Sequence, residues 1–226
     1  MSAAFSRCLP EGRHEMGTSY MTLKQEACDE FIERKSRFIG YARPVTVEEE
    51  AIAFINRKKK EHWDATHNVY AYVLREGQIQ RCSDDGEPQG TAGYPVLDVL
   101  LKAEITDCVV VVTRYFGGIL LGTGGLVRAY SHGASLAVAA AQPLVMHYGA
   151  RCRVSCGYAA YGMVAALVAS FNGVVEDTAF TEEVTLTFLL GEEDMGPFQK
   201  ALTEGSAGTL LVEEMEKLHF SLQKSR

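Results

Sequence analysis

No Asp or Glu occurs between Cys108 and Val175, although the 226-residue chain carries 29 acids against 22 Lys and Arg, a formal charge of −7. The ionisable bases in that stretch are Arg114, Arg128, Arg151 and Arg153, with His132 and His147. A local positive excess inside an acidic protein suits a phosphate or a nucleic-acid backbone. The acidic total argues against a mainly electrostatic binder of DNA or of a membrane surface. Up to residue 142 there are 16 basic and 18 acidic side chains, and beyond it 6 and 11, so any nucleic-acid contact belongs to the first part.

Other absences exclude whole classes of chemistry. The six cysteines form no Cys-x-x-Cys pair and no regular series, and no zinc-spaced ligand set or catalytic triad can be assembled. Cys152 and Cys156 fall on one face of an expected strand, too far apart along it for a bridge. Residues 1–19 lack the apolar core of a signal peptide, so reduced thiols in the cytoplasm are expected. The longest apolar runs are broken by Arg or Gly, so no membrane span is expected. Gly124-Gly125 is followed by Leu126-Val127 rather than Lys-Ser/Thr, which rules out a P-loop. A dinucleotide fingerprint fails too, because Val127 stands where its third glycine belongs and no acid follows at the required distance.

What the chain does contain centres on residues 107–141. Four valines, residues 109–112, read as a strand buried on both faces. Gly117, Gly118, Gly122, Gly124 and Gly125 follow, and then an Ala-rich helix over residues 126–141 with Leu126, Tyr130 and Ala134 on one face. Strand, glycine loop and helix in that order leave free N–H groups at a helix N-terminus, which favour an anion.

Length and an average composition allow one large domain or two small ones. Residues 1–19 are expected to form a flexible extension, with Met16 or Met21 as an alternative start. Residues 31–41 predict a strand pair or one long strand, residues 47–61 a helix, residues 67–74 a strand and residues 78–82 its short partner. The basic run of residues 57–60 reads as a solvated helix end complementing the dipole. Residues 83–95 are loop chemistry, with a helix expected from Val96 to Ala103. In that loop Asp84, Asp85 and Glu87 offer carboxylates to Mg²⁺, or an Asp-Gly turn leading into a capped helix. His67 is a general-base candidate or a hydrogen-bonded core group.

After Gln142-Pro143 the pattern restarts as β-α-β-β-α-β. Strands are expected at residues 144–155, 174–180, 184–190 and 208–215, and helices at residues 158–171 and 192–204. That order is the ferredoxin-like one. The chain is thus expected to divide into an extension (1–19), an N-terminal domain (20–142) and a C-terminal domain (143–226).

Four motifs occur together: Arg34-Lys35-Ser36-Arg37-Phe38; Ala65-Thr66-His67-Asn68; Ser83-Asp84-Asp85-Gly86-Glu87-Pro88 with Gly90-Thr91-Ala92-Gly93; and Val112-Thr113-Arg114-Tyr115-Phe116-Gly117-Gly118 with Leu121-Gly122-Thr123-Gly124-Gly125-Leu126-Val127-Arg128-Ala129-Tyr130. With them the chain closely resembles the IMPACT/YigZ family over about residues 20–142, and by position and pattern beyond. The resemblance implies an α+β protein: a ribosomal-protein-S5-domain-2-like domain followed by a ferredoxin-like βαββαβ domain. It also implies a link to translational control, with RNA, the ribosome or a translation-control protein as partner. With no triad, zinc set, P-loop or signal peptide in the sequence, the expected role is cytoplasmic and non-enzymatic. The resemblance supplies no catalytic residues and no cofactor. Bacterial members commonly have lysine where this chain has Leu120.

The expected binding groove comprises His67, Asp84, Asp85, Glu87, Thr91, Arg114, Tyr115, Gly117, Gly118, Gly122, Gly124, Gly125 and Arg128, with the two motif loops facing each other. The enzymatic alternative is a Mg²⁺-dependent phosphoryl-transfer or phosphate-ester enzyme, with Asp84, Asp85 and Glu87 on the metal and the glycine loop, Arg114 and Arg128 on phosphate. A third reading is a protein-binding adaptor that uses the acidic second domain.

Overall fold

The computed structural model of the chain describes residues 19–222. The expected extension, with Met16, lies outside the described residues except for Ser19. The chain divides into two compact units, residues 20–146 and the part from His147 onward.

The N-terminal unit begins with β1 (Tyr20–Leu23), a strand at the expected start of the N-terminal domain for which the sequence pattern gives no separate signal. It continues through β2 (Ala27–Glu33), β3 (Ser36–Pro44), α1 (Glu48–Glu61), β4 (His67–Leu74), β5 (Ile79–Ser83), α2 (Gly93–Lys102), β6 (Cys108–Tyr115) and α3 (Thr123–Ala140). The main sheet has the order β2-β3-β6-β4-β5, and every pairing in it is antiparallel.

Alternation along β6 explains the valine run. Val110 and Val112 pack into the larger core beneath α2 and α3, while Val109 and Val111 join Ala51, Phe54 and Ile55 of α1 on the opposite face. Both faces are covered, so a strand without polar alternation is stable there. The sheet and α3 approach so closely at Gly40 that a Cβ would collide with the carbonyl of Gly133. The segment of residues 31–41 resolves as a hairpin whose turn, Arg34-Lys35, holds φ at 44° and 64°. Positive φ at both turn residues matches the right-handed twist of the strands, but Asn-Gly is the usual choice and two L side chains are strained there.

β7 (Pro143–Cys156) starts where the second domain was expected, yet its first four residues pair with β1 and stay with the N-terminal unit. From His147 onward it pairs with β9 (Val184–Gly191) and β10 (Glu213–Phe220); α4 (Tyr158–Ser170), β8 (Val174–Phe180) and α5 (Glu192–Gly205) complete that unit. Its strand order, β10-β7-β9-β8, is the antiparallel arrangement of a ferredoxin-like βαββαβ fold. The protein is therefore α+β in both parts.

The last strand lies five residues beyond its expected position. The apolar run of residues 210–212 suggests a strand, but Leu210 and Val212 pack against the core between the sheet and the two helices, and Val212 N–H donates to Gln199 Oε1 at 3.1 Å. The charged residues that follow make an edge strand, where charge hinders pairing with other chains. Cys152 and Cys156 are buried free thiols. Among the described residues no helix is long and apolar enough to cross a membrane.

Candidate functional site

Four connections leave the same end of the main sheet. Register places Arg37 opposite Tyr115, His67 opposite Arg114 and Tyr70 opposite Ser83, so the β2–β3 turn, the α1–β4 loop, the β5–α2 loop and the β6–α3 loop all gather there. The two motif loops thus share one end, but their side chains do different work from that expected.

The acids of the β5–α2 loop are committed to partners inside the protein. Asp84 accepts from Gly90 N–H at 2.8 Å through one oxygen, and from Ala92 N–H (3.1 Å) and Gly93 N–H (2.8 Å) through the other. It is the anion at the N-terminus of α2, supplied from nine residues upstream of Gly93. Asp85 pairs with Lys59 Nζ at 2.6 Å and accepts from Asn68 N–H at 2.6 Å, and its own carbonyl meets His67 Nδ1 at 2.8 Å. Glu87 turns inward, where Oε1 accepts from Arg114 Nη1 at 2.5 Å and from the Tyr130 hydroxyl at 2.8 Å, with His67 Nε2 at 3.8 Å. Thr91 is buried and donates to the Pro88 carbonyl at 2.7 Å. The three carboxylates therefore do not converge. Among the described residues no three His, Cys, Asp or Glu side chains come together as a metal-ligand set.

Arg114 was expected to hold phosphate. It is instead buried below the loops, its guanidinium beside Phe38 and Phe116, and its Nε has no hydrogen-bond partner. Burial beside Glu87 pushes the Tyr130 hydroxyl far above the ordinary tyrosine range. His67, Glu87, Arg114 and Tyr130 form a polar knot in the α2/α3 core.

Tyr115 was also placed in the groove, but successive residues of a strand point to opposite faces, so it lies on the α1 side. There its hydroxyl donates to Asp64 at 3.2 Å and meets His62 Nδ1 at 2.9 Å, while His62 Nε2 meets the Tyr41 hydroxyl at 2.6 Å. Burial lowers the His62 pKa, opposed by Glu61 and Asp64 and reinforced by Lys58 and Arg37. Burial also pushes Tyr41 up to about 12. The sequence reading missed this Tyr–His–Tyr bridge, whose only local signal was an aromatic at each strand position.

The glycines divide between turn and helix. Gly117 packs on the β2–β3 turn, where a Cβ would collide with the Lys35 backbone, and its N–H donates to Ser36 Oγ at 3.2 Å. Gly118 and Gly122 take positive φ, 84° and 70°. Gly124 and Gly125 belong to the first turn of α3, which starts three residues earlier than expected.

Alongside that turn lies an open groove of about 230 Å³, bounded by Phe31, Arg34, Leu121, Gly125, Arg128 and His132, with Glu33 and Ala129 completing its lining. Its floor is aromatic: Phe31 stacks on Phe38 at 5.1 Å and meets His132 edge-on at 4.6 Å. No acid lies in the first turn of α3 and no side chain caps it, whereas α1 has Glu48, Glu49 and Glu50 there and α2 has Asp84. Among the described residues the exposed side chains of Lys35 and Arg128 have no hydrogen-bond or ion-pair partner. Of the expected site residues, then, Gly125 and Arg128 line this groove and Gly117 meets the turn beside it, while Asp84, Asp85, Glu87, Thr91, Arg114 and His67 build the scaffold beneath the loops.

Residues 34–138 match the sequence profile of the Impact N-terminal domain, and residues 154–209 match a domain of unknown function, DUF1949. The IMPACT family member YvyE of Bacillus subtilis is 38% identical over 205 residues, which cover 88% of this chain and 92% of that protein. The chain belongs to the IMPACT family. Its Escherichia coli member YigZ is 34% identical over 192 residues, covering 81% of this chain and 92% of YigZ. A solved structure described as a hypothetical protein superposes with a TM-score of 0.56 at 31% identity, covering 89% of this chain and 99% of that one. Both family profiles fall within the two units seen here, and the Impact N-terminal match includes the whole groove except Phe31 and Glu33.

Proposed function

We propose that this IMPACT family member is a cytoplasmic, non-enzymatic regulator linked to translation, whose N-terminal unit holds an RNA backbone along the α3 groove. One observation carries the reading. The three acids of the β5–α2 loop are engaged inside the protein, while Lys35, Arg128 and the N-terminus of α3 remain free for an anion. Asp84, Asp85 and Glu87 consequently do not repel a phosphate as unpaired acids would. Leu120, 80% exposed, adds no charge, so the affinity is modest.

Mg²⁺-assisted phosphate chemistry has no comparable support, because its proposed ligands point at Lys59, Arg114 and backbone N–H groups. The direct test is a titration of the purified protein with labelled RNA at low and moderate salt, with and without Mg²⁺. The expected result is salt-sensitive binding that Mg²⁺ does not strengthen, with a slope of about −2 in log K against log[salt] if three phosphates are neutralised. Arg128→Glu should weaken binding about tenfold or more without lowering the melting temperature. Absence of binding at low salt would leave a protein partner as the better reading.

A further inference from the structure

Trp63 is the only tryptophan in the sequence, and it is 83% exposed in the α1–β4 loop. Its indole therefore presents a broad aromatic face, with a polar N–H at its edge, to whatever approaches this end of the sheet. The loop that carries it is tightly placed. Thr66 N–H donates to the Arg114 carbonyl at 2.9 Å, and Phe116 N–H donates to Thr66 Oγ1 at 3.0 Å. The same β6–α3 loop rests through Gly117 on the Lys35 backbone. The loops that carry Trp63, the half-exposed Phe116 and the basic turn therefore stand at neighbouring strand ends. From β4 to the β2–β3 turn the distance across the sheet is about 10–15 Å, two to three strand spacings.

We propose that this sheet end takes single-stranded RNA, an unpaired base stacking on Trp63 while the backbone passes Lys35 towards Arg128. The inference rests on the RNA reading above and adds the form of the nucleic acid. Aromatic faces beside unpaired cations are the general means of holding unpaired bases, because every base offers a π-face and its phosphate a charge. Asp64, next in sequence, repels phosphate locally, so a base rather than the backbone sits at the indole. In a duplex the bases are already stacked on one another and offer no face to Trp63.

The single tryptophan makes the test direct. Its fluorescence is followed at low salt while the full chain is titrated with a single-stranded oligoribonucleotide, with a duplex of equal phosphate count, and with polyglutamate. The single strand should quench the emission and the duplex should not. By anisotropy of a labelled single strand, Trp63→Ala should bind about tenfold more weakly, and Trp63→Phe should recover part of the loss. Both variants should melt as the wild type does, since the side chain is exposed. Equal binding of single strand and duplex with unchanged emission, and full affinity in Trp63→Ala, would overturn the stacking proposal and leave the RNA reading standing. No RNA binding at low salt would overturn both, as would quenching by polyglutamate alone.

Discussion

Glu87 and Arg114 form an ion pair whose side chains are only 4% and 6% exposed, at 2.5 Å, between the sheet and α3. Taking two charges out of water is costly, and removing one partner strands the other. Arg114→Ala or Glu87→Ala should therefore cost about 3–5 kcal/mol, while the double replacement by apolar residues of similar volume should cost less than either. Chemical denaturation of the four proteins measures the coupling. A single variant losing under about 1 kcal/mol would show the pair to be better hydrated than its burial implies. Any loss of RNA binding by an Arg114 variant must accordingly be read beside its stability.

Asp84 should behave as a helix cap placed at a distance. Asp84→Ala leaves three N–H groups without acceptors and should cost about 1–2 kcal/mol. Adding Mg²⁺ to the wild type should leave the melting temperature unchanged, because the carboxylate is already occupied. A Mg²⁺-dependent rise that Asp84→Ala abolished would restore the metal reading of this loop.

The β2–β3 turn opposes stability to binding. Lys35 holds φ at 64°, a region that glycine enters without strain. Lys35→Gly should raise stability by about 1 kcal/mol and at the same time weaken RNA binding. Loss of both properties together would mean that Lys35 is needed for the turn itself.

The His62 bridge predicts a pH dependence. Burial depresses the folded-state pKa below the ordinary value of 6.5, so the unfolded chain binds the proton first. The stability conferred by neutral His62 is complete above pH 6.5 and declines as the pH falls from there towards the folded value. The stability difference between wild type and His62→Asn, read by denaturation across that range, should narrow on acidification. A difference independent of pH would show that the ring is equally at home charged.

Much of the fold could be read from the sequence because burial on two faces leaves a plain trace. The valine run of β6, the alternation of β4 and the α1 helix, with its acidic start and basic end, lie where the residue pattern puts them, and β4 matches residue for residue. The misplaced β10 shows the limit: an apolar run can fill the end of a core without joining a ladder, and half of an edge strand can be charged. The site was legible as a set of motifs, not as roles. Carboxylates such as Asp84, Asp85 and Glu87 look alike in sequence whether they face a ligand or the protein's own N–H groups. What separates them is register and facing, which also divided Arg114 from its neighbour Tyr115. Trp63 and the Arg34-Lys35 strain had no periodic signature at all.

The hydrogen bonds that Asp84 makes with the backbone of residues 90–93 give the β5–α2 loop the cooperativity of a secondary element. To open, it must break Asp84 from α2, Asp85 from Lys59 and Glu87 from Arg114. Such a segment does not fray residue by residue. Amide protons of Gly90, Ala92 and Gly93 should exchange with solvent at one shared slow rate, and the same rare event would briefly admit water to the arginine beneath.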